Sequence, residues 1–411
     1  MKKKTTNLRI TREEAGSILA KVETVCKEEE VDIEKSYGRV LSKDITADQN
    51  VPPFSRSPLD GYAFRGEDTM EASKDHPVVL KITEEIPAGG VPTIALTKGW
   101  TAKILTGAPI PEGCNAIQRY EEVEFDDEKV IFRSSVKPGS NIVLEGNDVK
   151  VGEKVADRGD IITPPLAGML ASLGYSKVPV YKKPKVAIIS TGSELASPKE
   201  DLKPGKIHSS SYHMLRGYLE EAGAEVEENC IIPDRLEKIT RMLDEKLREA
   251  DMVITTGGVS VGDYDLMPDA ADKIGAKRLF WKVRFRPGGS VLAAVKNGKL
   301  ILGLSGNPTS AMLALHLLGM PFIRRLEGRP NELPEKIQVE LLEPVTKDSP
   351  FGRLIRGRMV IREGRCCFQS VDYKGNGAIS SVIGCDLIAD IPQDTPPLAA
   401  GTIVDAYRIT R

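Results

Sequence analysis

The sequence predicts a multidomain α/β protein: a central parallel sheet domain, a β-rich insertion, a helical and extended linking domain, and a C-terminal β-barrel-like domain. Three observations carry this. Between residues 185 and about 326, short apolar runs alternate with amphipathic helical runs, the signature of βαβ units whose parallel sheet is covered on both faces. Between residues 51 and 149 the texture is short β-type runs broken by Pro and Gly, with many acids. After Gly328-Arg329-Pro330, β-runs separated by turn residues continue to the end, enough for a barrel or sandwich of roughly 80 residues.

Taken in order, residues 11–30 read as a helix with Ala15, Ile18, Leu19, Val22 and Val25 on one face and Thr11 or Thr6 as its cap. A second helix is expected over 164–173. In the α/β segment we expect strand 186–189, helix 212–222, strand 226–231, helix 236–248 and strand 252–255. The spacing of Leu236, Ile239, Leu243 and Leu247 gives the last of these helices a single apolar stripe. Four units result: 1–50 joined with 150–182, then 51–149, 183–328 and 329–411.

Composition narrows the function. A chain of 411 residues with 40% hydrophobic and 28% charged residues and a formal net charge of −2 is expected to be soluble, with no electrostatic drive toward nucleic acid. No apolar run is long enough to span a bilayer, and Met1-Lys2-Lys3-Lys4 does not open a signal peptide, so a cytoplasmic protein is expected. The cysteines at 26, 114, 230, 366, 367 and 385 have neither CxxC nor zinc-ligand spacing. Cys366 and Cys367 are expected to alternate across a strand, and His316, in an apolar helical run, to be a core histidine.

The chemistry is concentrated in three loops. Met252-Val253-Ile254-Thr255 runs into Thr256-Gly257-Gly258-Val259-Ser260-Val261-Gly262-Asp263-Tyr264-Asp265, where glycines let backbone N–H groups approach an anion and Ser260 adds a hydroxyl. Asp263 and Asp265 supply hard oxygens suited to Mg2+ beside a phosphate. The run Leu300-Ile301-Leu302-Gly303-Leu304 enters Ser305-Gly306-Asn307-Pro308-Thr309-Ser310 and then a helix, whose N-terminus attracts anions and whose cap can be Ser, Asn or Thr. The third loop, Ser190-Thr191-Gly192-Ser193-Glu194-Leu195, follows strand 185–189. Ligands of open α/β sheets bind at the carboxyl ends of strands, so the three loops point to one crevice. None contains a GxGxxG or Walker A pattern, which argues against a Rossmann dehydrogenase and a P-loop NTPase.

Five segments in order resemble the MoeA and gephyrin E-domain family, the molybdopterin molybdenumtransferases. They are Val51-Pro52-Pro53-Phe54-Ser55-Arg56-Ser57-Pro58-Leu59-Asp60-Gly61-Tyr62-Ala63, the run Leu105-Thr106-Gly107-Ala108-Pro109-Ile110-Pro111-Glu112-Gly113-Cys114-Asn115-Ala116, and the three loops just described. The resemblance covers nearly the whole chain. It implies a homodimer, with the 1–50/150–182 unit linking and dimerising and the cleft shared between the molybdopterin-binding α/β domain of one protomer and the β-rich domain of the other. The implied reaction joins molybdate to the dithiolene of adenylylated molybdopterin, with Mg2+-dependent loss of AMP. A molybdopterin adenylyltransferase and molybdoenzyme maturation factors are further candidate partners; no nucleic acid or membrane is implied.

Carried over residue by residue, the resemblance makes Asp60, Thr106, Glu194, Asp234 and Asp265 the catalytic set, with Asp265 and Glu194 toward the metal. Gly257, Gly258, Ser260, Gly306, Asn307 and Pro308 hold the pterin nucleotide. Lys282 and Arg286 supply cations, and strand alternation would place Lys282, Arg284 and Arg286 on one face. In the C-terminal unit Arg356, Asn376, Ser380 and Ser381 match the oxyanion side. Each also has a plainer reading: Asp60 a turn acid, Glu194 a helix N-terminal acid, Lys282 and Arg284 a solvated edge strand.

The chain departs from the family pattern at Arg286-Pro287-Gly288-Gly289-Ser290, where relatives read Lys-Pro-Gly-Lys-Pro, at Ser305 where they have Pro, and at Arg56-Ser57-Pro58-Leu59-Asp60-Gly61 where they read Asn-Ser-Ala-Met-Asp-Gly. The lost amine at Gly289 should lower the local potential, and Arg56 would restore it if both faced the cleft. Three alternatives stay open: a tungstate-using paralogue, a molybdopterin-binding adenylyltransferase or pyrophosphatase, and a non-catalytic scaffold.

Overall fold

In the α/β domain the strands lie in the order Glu225–Val226, Lys185–Thr191, Met252–Thr256, Lys299–Leu304, Leu292–Lys296, Lys277–Trp281, and Cys230–Ile232 also pairs with Lys185–Thr191. The structure is a computed structural model describing residues 10–260, 265–330, 333–371, 375 and 377–409. The first four strands pair in parallel, as the βαβ alternation predicts. The last two turn antiparallel. Asn297 and Gly298, at φ 53° and 75°, supply the two positive φ values of a tight hairpin turn, so Lys296 faces Lys299 and the strand must reverse.

Both faces of this sheet are covered. Val186, Ile188, Ile254, Leu300 and Leu302 point to one core with Tyr212, Leu215 and Leu219 of the helix Ser211–Glu221. Ala187, Ile189, Val253 and Ile301 point to the other, where Ile239, Leu243 and Leu247 of the helix Leu236–Glu249 are buried. Each fully buried Leu or Ile contributes about 1.5–3 kcal/mol, which fixes the strand register and therefore the level at which the loops emerge. The buried helical stretch after the Ser305–Ser310 loop widens into a π-turn over Leu315–Gly319. Pro321 in the next turn has no N–H to give back to it, which accounts for the change of pitch.

The first helix is shorter than its sequence pattern. It spans Arg12–Ala20, begins in a capping box in which Thr11 and Glu14 satisfy each other's backbone N–H groups, and stops well before residue 30. Glu28–Asp32 is instead a strand antiparallel to Lys177–Tyr181, and Val25 is 78% exposed. In the strand these residues gain a backbone ladder with Lys177–Tyr181, and Arg39 pairs with Glu29 at 2.5 Å while also donating to Tyr181 O. Thr11 is thus the cap, and Thr6 lies outside the described residues. The second helix, Pro164–Ser172, forms where expected, capped by Thr163.

The β-rich segment forms a six-stranded sheet containing Gly61–Phe64 at its second position and Trp100–Ile104 beside it. In the C-terminal segment, Gly352–Arg362 pairs with both Arg365–Ser370 and Leu387–Ile391, closing a five-stranded barrel through Lys336–Leu341 and Ile403–Arg408. Cys366 is exposed and Cys367 buried, as alternation requires. Phe285–Arg286 leaves the α/β domain and pairs with Gly352 and Arg353, so the barrel is stitched directly to the edge of the α/β domain. Among the described residues no helix is long and apolar enough to cross a membrane.

Candidate functional site

The three glycine-bearing loops are tied to one another. Thr191 Oγ1 donates to Thr256 O at 3.1 Å, and Gly257 N donates to Leu304 O at 3.0 Å. Gly257 sits at φ 94°, where a Cβ would lie 2.5 Å from Thr191 O, so only glycine allows this contact. A Cβ on Gly306 would lie 3.6 Å from Gly257 Cα, which brings the second loop against the first. Asp265 Oδ1 accepts from Ser260 N at 2.8 Å and closes the glycine turn on itself. Trp281, whose ring the ammonium of Lys282 approaches to 4.7 Å, donates its indole N–H to Val259 O at 3.0 Å.

These loops line a cleft of about 1340 Å3 whose other wall is the barrel. Among its described lining residues, Lys282, Arg284, Arg286, Lys347, Arg353 and Arg356 oppose only Glu194 and Asp265 as carboxylates. Such an excess of cations in a concave site focuses a positive potential and selects polyanions. Arg356 is 4% exposed and Lys282 8%, so solvent screens them far less than surface charges. Arg286 stacks 4.6 Å over Phe351 of the barrel.

Of the residues singled out from the sequence, the cleft gathers Glu194, Gly257, Gly258, Ser260, Asp265, Lys282, Arg286, Gly306, Asn307, Pro308 and Arg356. Other placements differ from expectation. Lys282 has φ 74° and interrupts the strand between Trp281 and Phe285, so simple alternation does not order Lys282, Arg284 and Arg286, although all three reach the cleft. Glu194 precedes the short strand Leu195–Ala196 and not a helix, which removes its reading as a helix N-terminal acid. Asn307 occupies the N-cap position without making a side-chain cap bond, while its N–H donates to Ser305 Oγ at 3.2 Å. Ser305 therefore shapes the turn that leads into the helix Pro308–Ala314.

Asp234 stands behind the third loop, accepting from Ser193 N at 3.0 Å, and does not line the cleft. Ser381 is buried and spends its hydroxyl on Ala378 O at 2.6 Å, and neither it nor the exposed Ser380 lines the cleft; Gly377 does. Asp263 and Asn376 lie outside the described residues. Gly289 has no room for a side chain in this backbone, since a Cβ would meet Val283 O at 2.4 Å and Phe285 O at 2.5 Å. Arg56 does not line the cleft of its own chain.

Asp60 and Thr106 form a hydrogen-bonded pair in the β-rich segment, outside the cleft. Asp60 Oδ1 accepts from Thr106 N at 2.7 Å and Thr106 Oγ1 at 2.8 Å, which lowers the carboxyl pKa, the backbone bond first and the hydroxyl second. Both are exposed, and neither lines the cleft of the same chain. Sequence reasoning missed His208, Ser209, Ser210 and Ser211, which line the cleft ahead of the helix Ser211–Glu221. The hydroxyl-rich run just before a helix was the available signal. It also missed Lys347 and Arg353, for which nothing local marks a cleft residue.

Fold and site together define a class: a multidomain protein whose α/β domain presents strand-end loops to a polyanionic small molecule against a cationic barrel wall. The comparisons give the family. The MoeA N-terminal region (domain I and II) matches residues 10–174, the probable molybdopterin binding domain 187–325, and the MoeA C-terminal region (domain IV) 338–409. The chain is 35% identical to a molybdopterin molybdenumtransferase of Staphylococcus epidermidis over 96% of this chain and 94% of that protein. It is 37% identical to that of Bacillus subtilis over 92% and 89%. A crystal structure of a molybdopterin biosynthesis MoeA protein from Pyrococcus horikoshii OT3 superposes with TM-score 0.82 at 31% identity, covering 97% of this chain and all of that one. The chain belongs to the MoeA family of molybdopterin molybdenumtransferases.

Proposed function

We propose that the protein is the transferase of molybdenum cofactor biosynthesis that inserts molybdate into adenylylated molybdopterin and releases AMP. The observation that carries this reading is the cleft itself: three interlocked anion loops face a wall of arginines and lysines, with two carboxylates between them. The N–H groups around Gly257, Gly258 and Ser260 would hold the phosphates, and Gly306, Asn307 and Pro308 would bound the pterin nucleotide. Lys282, Arg286 and Arg356 would hold the tetrahedral dianion, for which guanidinium forks are well suited.

Mg2+ is part of this proposal. Among the described residues no group of three metal-ligating side chains exists. A hard cation that takes one or two carboxylates plus waters and phosphate oxygens still fits Glu194 and Asp265, which line one cleft. When bound there it would neutralise charge on the leaving phosphate. Asp265 is held in the glycine turn by the bond from Ser260 N to its Oδ1.

We read the protein as a cytoplasmic homodimer in which Asp60 and Thr106 of one protomer complete the cleft of the other. Their absence from the cleft of their own chain, and the bonds that keep Asp60 ionised, support this. The four units 1–50 with 150–182, 51–149, 183–328 and 329–411 belong to the same reading. The test is AMP release from adenylylated molybdopterin, assayed with and without Mg2+ and with molybdate or tungstate. Release that requires Mg2+ and molybdate is expected; release with tungstate alone would transfer the reading to that oxyanion, and none with either would reject the enzyme.

A further inference from the structure

The segment 282–286 that carries three of the cleft cations is the middle of three backbone layers. On one side Lys282 N donates to Val291 O and Val283 N to Gly289 O, both at 2.8 Å. On the other, Ile10 bridges Val283 in parallel, and Arg284 N donates to Ile10 O at 2.8 Å. The N-terminal segment therefore forms the outer layer of the cation segment. It holds the stretch in which Lys282 takes its left-handed φ of 74°.

Two residues further on, Arg12 fastens that layer to the barrel. Its Nη1 lies 2.8 Å from Asp390 Oδ2, and the guanidinium stands 5.3 Å from the ring centroid of Tyr407, whose hydroxyl donates to the same carboxylate oxygen at 3.3 Å. The Arg12 and Asp390 side chains are 19% and 10% exposed, so the pair is largely shielded from solvent. Asp390 faces Leu354, and Ile388, two residues before it, faces Arg356, on the strand that brings Arg353 and Arg356 into the cleft. Arg12 thus joins the backbone layer beneath Lys282 and Arg284 to the barrel sheet that carries Arg356.

We propose that Arg12 is a positioning residue for the oxyanion site, setting the spacing between the cations of the α/β edge and those of the barrel through Ile10 on one side and Asp390 on the other. The inference rests on the proposed function, because it assumes that these cations receive the oxyanion. It distinguishes Arg12 from a mere staple: a staple would affect stability and both substrates alike, whereas a positioning residue acts on the oxyanion alone. The glycine loops that would hold the nucleotide are tied to one another and to sheet strands by Thr191 Oγ1–Thr256 O and Gly257 N–Leu304 O, and meet the cation segment through Trp281, so Arg12 bears on them less directly than on the cations.

The experiment compares full-length wild type, Arg12→Ala, Arg12→Lys and Asp390→Asn. Molybdate is titrated at saturating adenylylated molybdopterin, and then the reverse. Arg12→Ala is expected to raise the molybdate KM about tenfold, the equivalent of about 1.4 kcal/mol, while the pterin-nucleotide KM changes less than about twofold. Arg12→Lys, which keeps the charge opposite Asp390, should recover most of that loss. Removing one member of a shielded pair strands the other, so the alanine variant can fail to fold. In that event Asp390→Asn decides: a selective rise of about threefold in molybdate KM supports the proposal, and unchanged values or equal changes in both KM overturn it. If the wild type releases no AMP, the proposed function fails separately. Arg12 is then tested by molybdate binding read from Trp281 fluorescence in a Trp100→Phe background, where an unchanged Kd in Asp390→Asn overturns it.

Discussion

Replacing Gly257 with alanine probes the site at its tightest point. Two costs can be read from the structure. At φ 94° an L-residue is strained by about 1–2 kcal/mol. The new Cβ would also sit 2.5 Å from Thr191 O and 2.7 Å from Thr191 Oγ1, so Thr191 must move and its buried bond to Thr256 O must loosen, at about 1–3 kcal/mol. Together these destabilise the α/β domain by about 2–5 kcal/mol, a fall in Tm of roughly 5–15 °C for a domain of this size. Displacing the loop should also remove at least one charge-assisted bond to the substrate phosphate, lowering kcat/KM by about 10- to 100-fold. Gly306→Ala is the control, because its nearest neighbour would be 3.6 Å away: Tm should hold within about 2 °C. Thermal denaturation followed by AMP-release kinetics reads both effects. A Gly257→Ala protein with wild-type Tm and activity would refute the reading of this loop as an interlocked anion site.

Asp265→Asn keeps the shape and the Ser260 N contact but removes a charge, so AMP release should fall at least about 100-fold with Tm little changed; undiminished release would remove Asp265 from the proposed Mg2+ site. Mixed dimers of an Asp60→Asn chain with an Asp265→Asn chain should regain about a quarter of wild-type activity if the cleft is shared, since one site in a randomly assorted population escapes both lesions; activity no higher than either variant alone argues for a cleft within one chain. His316 should make the protein acid-sensitive. Burial, with a smaller push from Arg324, lowers its pKa from 6.5 to about 3, and its Nε2 has no hydrogen-bond partner among the described residues. The unfolded chain therefore binds a proton below pH 6.5 that the folded one refuses. Stability is fully present above pH 6.5 and falls as the pH drops toward 3, by about 1 kcal/mol per pH unit. Urea unfolding at several pH values should show a shallower slope for His316→Leu, and equal slopes would contradict the assignment.

Much of this was legible locally. Gly257-Gly258 after the strand Met252–Thr256 gave the glycine turn at the cleft, Thr11 and Glu14 gave a helix start, and Cys366-Cys367 gave an inside and an outside. What failed locally failed for nameable reasons. The run after Ala20 keeps apolar residues at helical spacing, yet residues 28–32 pair with a strand more than 140 residues away, a partner no window contains. Asn297-Gly298 did signal a hairpin, and with it the antiparallel edge, in two residues that the α/β alternation overshadowed.

The sequence by itself determined the α/β core, the three loops and the family, because apolar periodicity and glycine-bearing turns are short-range properties that strand burial then locks in register. Only the tertiary structure decided which charges meet. Lys282 reaches the cleft through a left-handed backbone, Arg353 and Arg356 arrive on a barrel strand, Ser381 turns away to its own backbone, and Arg12 joins the two walls. Electrostatic sites are sums over groups distant in sequence, and their geometry is fixed by how domains pack.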